Sequence, residues 1–172
     1  MSEPRDKIGV LFVCMGNICR SPTAEGVFRD KLDRAGLADR VEVDSAGTGD
    51  WHVGQAPDSR AQEAAKRRGI DLSDIRGRQV EPSDLSRFDY LLAMDGGNLW
   101  SLQALAHGAR GRAGAEDGDP PRIQKLLEFA PDAPRSDVPD PYAGGERGFE
   151  EVLDLIDAAT DGLLEEVRGR LS

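Results

Sequence analysis

One stretch of the chain concentrates reactive side chains: Cys14-Met15-Gly16-Asn17-Ile18-Cys19-Arg20-Ser21-Pro22. A thiol, a short spacer, an arginine and a serine in this order can hold an anion and attack it. A tight loop at a helix start turns several backbone N–H groups toward one point, which makes an anion cradle. Gly16 and Asn17 are residue types that tolerate the left-handed angles of such a loop. Arg20 offers a planar fork of donors matched to two phosphate oxygens. Donors that bind phosphate also stabilise Cys14 as a thiolate, the nucleophilic form of cysteine. Ser21 is positioned to hydrogen-bond that thiolate and ease its departure from an intermediate. The chemistry expected is attack of Cys14 on a phosphate ester through a cysteinyl-phosphate, without a metal or cofactor.

Such a loop must join a strand end to a helix start, and the flanking sequence reads that way. Ile8–Val13 is almost wholly apolar, the pattern of a parallel strand buried on both faces. Pro22 suits a first helical turn, and Thr23–Ala35 has helical spacing before Gly36. Val41–Ser45 reads as a second strand closed by Ala46-Gly47, and Asp58–Arg68 as a helix stopped by Gly69. Asp89–Met94 is a third strand, followed by a helix from about Asn98 to Ala106. Gly108–Pro121 reads as a surface connection. Ile123–Phe129 fits a strand or a short helix equally. A proline-rich loop, Pro131–Pro141, leads into a last helix with Phe149, Val152, Leu153, Ile156, Leu163, Leu164 and Val167 at helical spacing. The expectation is one domain over residues 1–172. It would be an α/β fold with a parallel sheet of about four strands, helices on both faces, and a site at the carboxyl ends of the strands.

The chain has 172 residues, a net charge of −10 and a pI near 4.7. That balance argues against a nucleic-acid or anionic-membrane partner, which needs a basic surface. It also means that an anion site must make its positive potential locally. The basic run Lys66-Arg67-Arg68 and the acidic Glu116, Asp117 and Asp119 read as solvated surface. No apolar run approaches the roughly 20 residues that span a bilayer, and the polar start does not read as a secretory signal. A cytoplasmic setting is expected, with non-standard export left open. Cys14 and Cys19 are the only cysteines. With His52 and His107 distant and showing no ligand spacing, zinc is disfavoured. Cys19 has two readings, a redox partner that caps Cys14 in a reversible disulfide, or a packing residue.

Cleaving a phosphate ester requires a proton for the leaving oxygen. Asp140, on a loop whose direction Pro139 and Pro141 fix, is the best candidate acid, and its carboxylate can then activate water. Trp51 and Tyr142 offer apolar faces that could sandwich an aromatic ring. Asp50 before Trp51 and Gly54 after it point to an exposed loop.

These residues together resemble the low-molecular-weight protein tyrosine phosphatases, and the resemblance covers nearly the whole chain. It rests on Cys14–Ser21 with Pro22, Ala24 and Glu25; Ser45-Ala46-Gly47-Thr48; Asp50–Gly54 with Pro57-Asp58; Arg78-Gln79; Met94-Asp95 with Asn98-Leu99; and Asp140-Pro141-Tyr142. It implies a flavodoxin-like three-layer fold and two-step phosphotransfer, with Cys14 as nucleophile, Arg20 as phosphate clamp and Asp140 as general acid and base. It implies that Asn17 and Ser45 hold the loop through hydrogen bonds and that Asp95, beside Asn98, pairs with an arginine to brace it. The substrate implied is a phosphotyrosine protein or peptide, the product inorganic phosphate, and a tyrosine kinase a possible partner. Ala143 departs from the second aromatic residue common in the family. Members acting on phosphoarginine resemble this loop but carry threonine where Ile18 stands, so Ile18 favours phosphotyrosine. Three rival functions follow: a phosphoarginine phosphatase, an arsenate reductase, for which the further downstream cysteines are missing, and a non-catalytic phosphate-binding module.

Overall fold

The computed structural model describes residues 7–113, 120–141 and 145–171. The chain alternates β1 (Ile8–Cys14), α1 (Arg20–Arg34), β2 (Val41–Gly47), α2 (Ser59–Lys66), a short α3 (Asp84–Arg87), β3 (Tyr90–Ala93), α4 (Gly96–Ala113), β4 (Arg122–Lys125) and α5 (Gly145–Leu171). The sheet is parallel with strand order β2-β1-β3-β4. This is the expected α/β architecture, and β1 is central in it.

The period-two geometry of β1 divides the core. Ile8, Val10, Phe12 and Cys14 belong to the larger apolar cluster with α1, α2 and α5, while Leu11 and Val13 join Leu91, Ala93 and Leu102 on the other face, beneath α4. Phe12 meets Phe28 of α1 edge-on, with ring centroids 5.9 Å apart. Each fully buried side chain of this size contributes about 1.5–3 kcal/mol. Both clusters close tightly on β1, so its carboxyl end, where Cys14 sits, is fixed.

Several boundaries differ from the sequence reading. Helix α1 starts at Arg20, ahead of Thr23, because Pro22 falls in the first turn, where its missing N–H is harmless. Strand β2 runs on to Gly47. Helix α4 continues to Ala113, so Gly108 does not end it, and residues 108–113 are helix rather than connection. Ala109, Arg110, Arg112 and Ala113 are strong helix formers and outweigh Gly108 and Gly111. The ambiguous Ile123–Phe129 segment splits into both readings, β4 followed by a 3₁₀ turn at Leu126–Phe129. Glu116, Asp117, Asp119, Tyr142 and Ala143 lie outside the described residues. Among the described residues, no helix is long and apolar enough to cross a membrane.

Candidate active site

The loop from Cys14 to Arg20 leaves the end of β1 and enters α1 directly. Asn17 adopts φ 58°, the only positive φ at a non-glycine residue among those described. An asparagine tolerates this left-handed region better than most residues. That turn sends the Asn17 backbone N–H to Cys14 Sγ at 3.3 Å. The N–H groups of Met15, Gly16 and Ile18 donate to no backbone carbonyl among the described residues. The loop thus carries polar hydrogens that the fold itself does not use.

The side chain of Asn17 links the loop to two neighbours. Its Nδ2 donates to Ser21 Oγ at 2.9 Å, and its Oδ1 accepts the backbone N–H of Arg78 at 2.9 Å. Ser21 Oγ lies 2.9 Å from Cys14 Sγ and 3.5 Å from the Ala46 carbonyl. Against a thiolate, the Ser21 O–H donates along the shorter of these. Cys14, Asn17, Arg20 and Ser21 are all at most 5% exposed.

Arg20 spends Nη1 on the protein, donating to Asp95 Oδ2 at 2.7 Å and to the Val138 carbonyl at 3.0 Å. Asp95 uses its other oxygen to accept the Asn98 backbone N–H at 2.8 Å. It is therefore both a brace for arginine and an N-terminal cap for α4. The arginine it braces is the clamp candidate itself. Asn98 is buried, and its Oδ1 finds no partner among the described residues. Among the described residues, it reaches the loop through Asp95.

The second contact of Arg20 reaches the loop that carries Asp140. The Val138 N–H donates to the Met94 carbonyl at 2.7 Å, anchoring this loop to the end of β3. Lys125 Nζ pairs with Asp137 Oδ1 at 2.8 Å, and Gly148 of α5 packs so closely that a Cβ there would meet the Pro141 carbonyl at 2.8 Å. Asp140 itself is exposed. One guanidinium thus ties the thiol loop to the acid-bearing loop.

Ser45 corrects an expectation. Its hydroxyl donates to Glu25 Oε1 of α1 at 2.6 Å, not to the loop. Ser45 pairs with Phe12 in the strand register, which turns it toward α1. Burial pushes the Glu25 carboxyl up from its ordinary range, while the bond from Ser45 and the charge of Arg29 pull the other way. Ser45 therefore supports the helix that carries Arg20 and Ser21, one step removed from the cradle.

The walls come from two further segments. Gly47 is packed so tightly against the loop that a Cβ there would lie 2.8 Å from the Met15 carbonyl and 3.2 Å from Asn17 N. Arg78, whose N–H holds Asn17, is fixed in turn by Asp44 at 3.0 Å and by both oxygens of Asp84. The Asp58 N–H donates to the Ile18 carbonyl at 2.7 Å. Partial burial opposes ionisation of Asp58, but the side chain and backbone of Arg60 outweigh it and hold the carboxyl below its usual range. Trp51 is 65% exposed on its loop, and Met15 is 51% exposed beside the cradle. Cys19 is buried in the main apolar cluster, and neither it nor Cys14 is in a disulfide.

The sequence reading gave no role to Glu25, Gly47, Arg78 or Val138. For Glu25 the signal was available, since a carboxylate falls among the apolar positions of an otherwise buried helix. Arg78 and Val138 act through backbone groups, which residue type does not announce.

A family model described as low molecular weight phosphotyrosine protein phosphatase matches residues 9–171. The low molecular weight protein-tyrosine-phosphatase YfkJ of Bacillus subtilis is 43% identical over 161 residues, covering 94% of this chain and 96% of the relative. Its crystal structure superimposes with a TM-score of 0.83 at 40% identity, over 96% of this chain and 98% of that one. A low molecular weight protein-tyrosine-phosphatase of Streptomyces coelicolor is 45% identical over 161 residues, covering 92% of this chain and 93% of the relative. The crystal structure of DARP, drosophila arginine phosphatase, matches with a TM-score of 0.79 at 33% identity, over 91% of this chain and 96% of that one.

Proposed function

The chain belongs to the low molecular weight phosphotyrosine protein phosphatase family, a family of hydrolases, and we propose that it removes phosphate from phosphotyrosine in proteins by the following route. Cys14 attacks phosphorus as a thiolate while the phosphoryl oxygens take hydrogen bonds from the loop N–H groups and from the Nε and Nη2 donors of Arg20. Asp140 gives a proton to the departing phenolic oxygen. Water then attacks the cysteinyl-phosphate, Asp140 takes its proton, and the Cys14 thiolate leaves with the Ser21 hydroxyl on its sulfur. Inorganic phosphate is released, and no metal takes part.

The observation that carries this reading is the double contact of Arg20, which joins the loop around Cys14 to the loop bearing Asp140. Trp51, exposed beside the cradle, supplies one aromatic wall in this proposal and Tyr142 the other. We assign the whole of residues 1–172 to one such domain, set in the cytoplasm and opposed by a tyrosine kinase. Cys19 serves as a redox partner for Cys14 in the same reading.

The likeness to the arginine phosphatase keeps a second substrate in play, because the fold is common to both. Ile18 supports phosphotyrosine. It is partly buried and packs against the main apolar cluster, and it offers no hydroxyl to a guanidinium leaving group. The test is kcat/KM, in reductant and EDTA, on matched phosphotyrosine, phosphoarginine and phosphoserine peptides. A phosphotyrosine preference is expected. A phosphoarginine preference overturns the substrate assignment and leaves the Cys14 route, and absence of turnover on all three overturns both.

A further inference from the structure

The imidazole of His52 lies on the outer edge of the cradle. A Cβ built on Gly16 would stand 3.0 Å from His52 Cδ2 and 3.7 Å from Nε2. The other ring nitrogen, Nδ1, is 3.0 Å from Gln55 Oε1. An amide oxygen only accepts, so Nδ1 carries a hydrogen, and in the neutral ring Nε2 is left as a lone pair on the side of the loop. The backbone of the residue that carries the ring is anchored. The His52 carbonyl accepts the Gln55 N–H at 3.0 Å and is so close to Gly77 that a Cβ there would meet it at 2.3 Å.

Imidazole is the side chain whose charge ordinarily changes between about pH 5 and 8. Protonating Nε2 would replace a lone pair with an N–H donor and add one positive charge beside the loop. The neighbouring charges do not pre-empt that effect. Asp50 is exposed on the same loop. Arg76 donates to the Ser73 and Ile75 carbonyls, and Arg78 is engaged by Asp44 and Asp84. Within the cradle, Arg20 is shared with Asp95, and Cys14 supplies the negative charge when ionised.

We propose that His52 is a specificity-determining residue for the charge of the phosphoryl group, and that its imidazolium favours the dianion held in the cradle. The proposal rests on the Cys14–Arg20 loop being the phosphate site. Binding and protonation are then reciprocal: phosphate raises the midpoint of the His52 titration, and protonation tightens phosphate by the same factor. For a dianion interacting with the ring at the protein surface, the midpoint should move up by about 0.5–1 pH unit, or about three- to tenfold in affinity.

The experiment follows the imidazole Cε1–H signals of the full chain by NMR across pH, with and without inorganic phosphate. There are only two histidines, and His107→Gln assigns them. The expected result is an upward shift for His52 alone, with the wild-type phosphate inhibition constant, expressed per phosphate dianion, weakening as pH rises and His52→Gln losing that component. A His52 midpoint that ignores phosphate, while phosphate still inhibits competitively, overturns this proposal and leaves the active-site reading intact. Phosphate that neither inhibits nor perturbs any signal overturns the site reading, and this proposal with it. An equal shift at His107 marks a general salt effect and also overturns it.

Discussion

The thiol loop and the acid loop meet at one guanidinium but are built on different principles. The loop from Cys14 to Ser21 is mostly buried, Met15 apart, and is held from three directions, by Arg78 on Asn17, by Asp95 on Arg20, and by Gly47 packed against its backbone. The segment before Asp140 is largely exposed. Its inner tie is Val138, and its outer ones include two ion pairs, Lys125–Asp137 with side chains 25% and 49% exposed and Arg135–Glu151 with side chains 51% and 40% exposed. Ion pairs at that exposure are worth about 0–1 kcal/mol. The cradle is thus preorganised for charge that develops in the transition state, whereas the acid is presented on a lighter tether. In the two-step scheme proposed above, the first region should govern every substrate and the second only those whose leaving group needs a proton.

The largest effect should come from the centre of the cradle. Cys14→Ser is expected to lower kcat by more than about 10⁴-fold on every substrate, while phosphate still binds as measured by calorimetry. Near-normal turnover in that variant would break the comparison at its first term. Asp140→Ala tests the other region. It should lose on the order of 10²–10⁴-fold on phosphotyrosine peptides and far less on an aryl phosphate with an acidic phenol. A loss independent of leaving group would move the proton donor to another residue.

Gly47 sharpens the contrast, because it acts on the cradle by shape alone. In Gly47→Ala the new methyl must displace the Met15 carbonyl or Asn17 N, both backbone atoms of the loop. Overpacking of this kind costs about 1–3 kcal/mol of stability, and a misplaced loop should lower kcat/KM by on the order of 10²-fold. Urea unfolding and steady-state kinetics on one preparation separate these two losses. The loss should be the same for all leaving groups, unlike that of Asp140→Ala.

The same contrast explains what could be read from the sequence. The cradle was legible because it is contiguous, and each residue from Cys14 to Ser21 has a local reason for its type. The first three strands were legible from their apolar residues, whereas β4 read equally as strand or short helix and the strand order was not legible at all. The braces were not, because Asp44, Arg78, Asp84 and Val138 become neighbours only through β2, β3 and the loops after them. Ser45 shows the limit well. Its importance was readable, but its partner depended on which face of β2 it occupied, and that face looks at Glu25 in α1. The overrun of α4 past Gly108 is a smaller case, in which two glycines, Gly108 and Gly111, were read against several strong helix formers.

The smallest expected effect concerns two carboxylates set by these environments. Burial raises the Glu25 carboxyl above its ordinary 4.5, so the folded protein holds that proton more tightly than the unfolded chain. The contribution to stability is full below that ordinary value and is lost as pH rises through the folded value. Asp58 is shifted the other way, chiefly by Arg60 overcoming partial burial, so its contribution is present above the ordinary 3.8 and is lost as pH falls. Urea unfolding between about pH 3 and 7 should therefore show opposite trends for two variants. Relative to wild type, Glu25→Gln should gain ground as pH rises, on top of a constant offset from its altered bonds to Ser45 and Arg29. Asp58→Asn should lose ground over the same interval. If both differences were flat, neither carboxylate would be coupled to folding, and the support beneath the cradle would rest on packing rather than charge. If only Glu25→Gln were flat, the Ser45 and Arg29 contacts would be offsetting its burial in full.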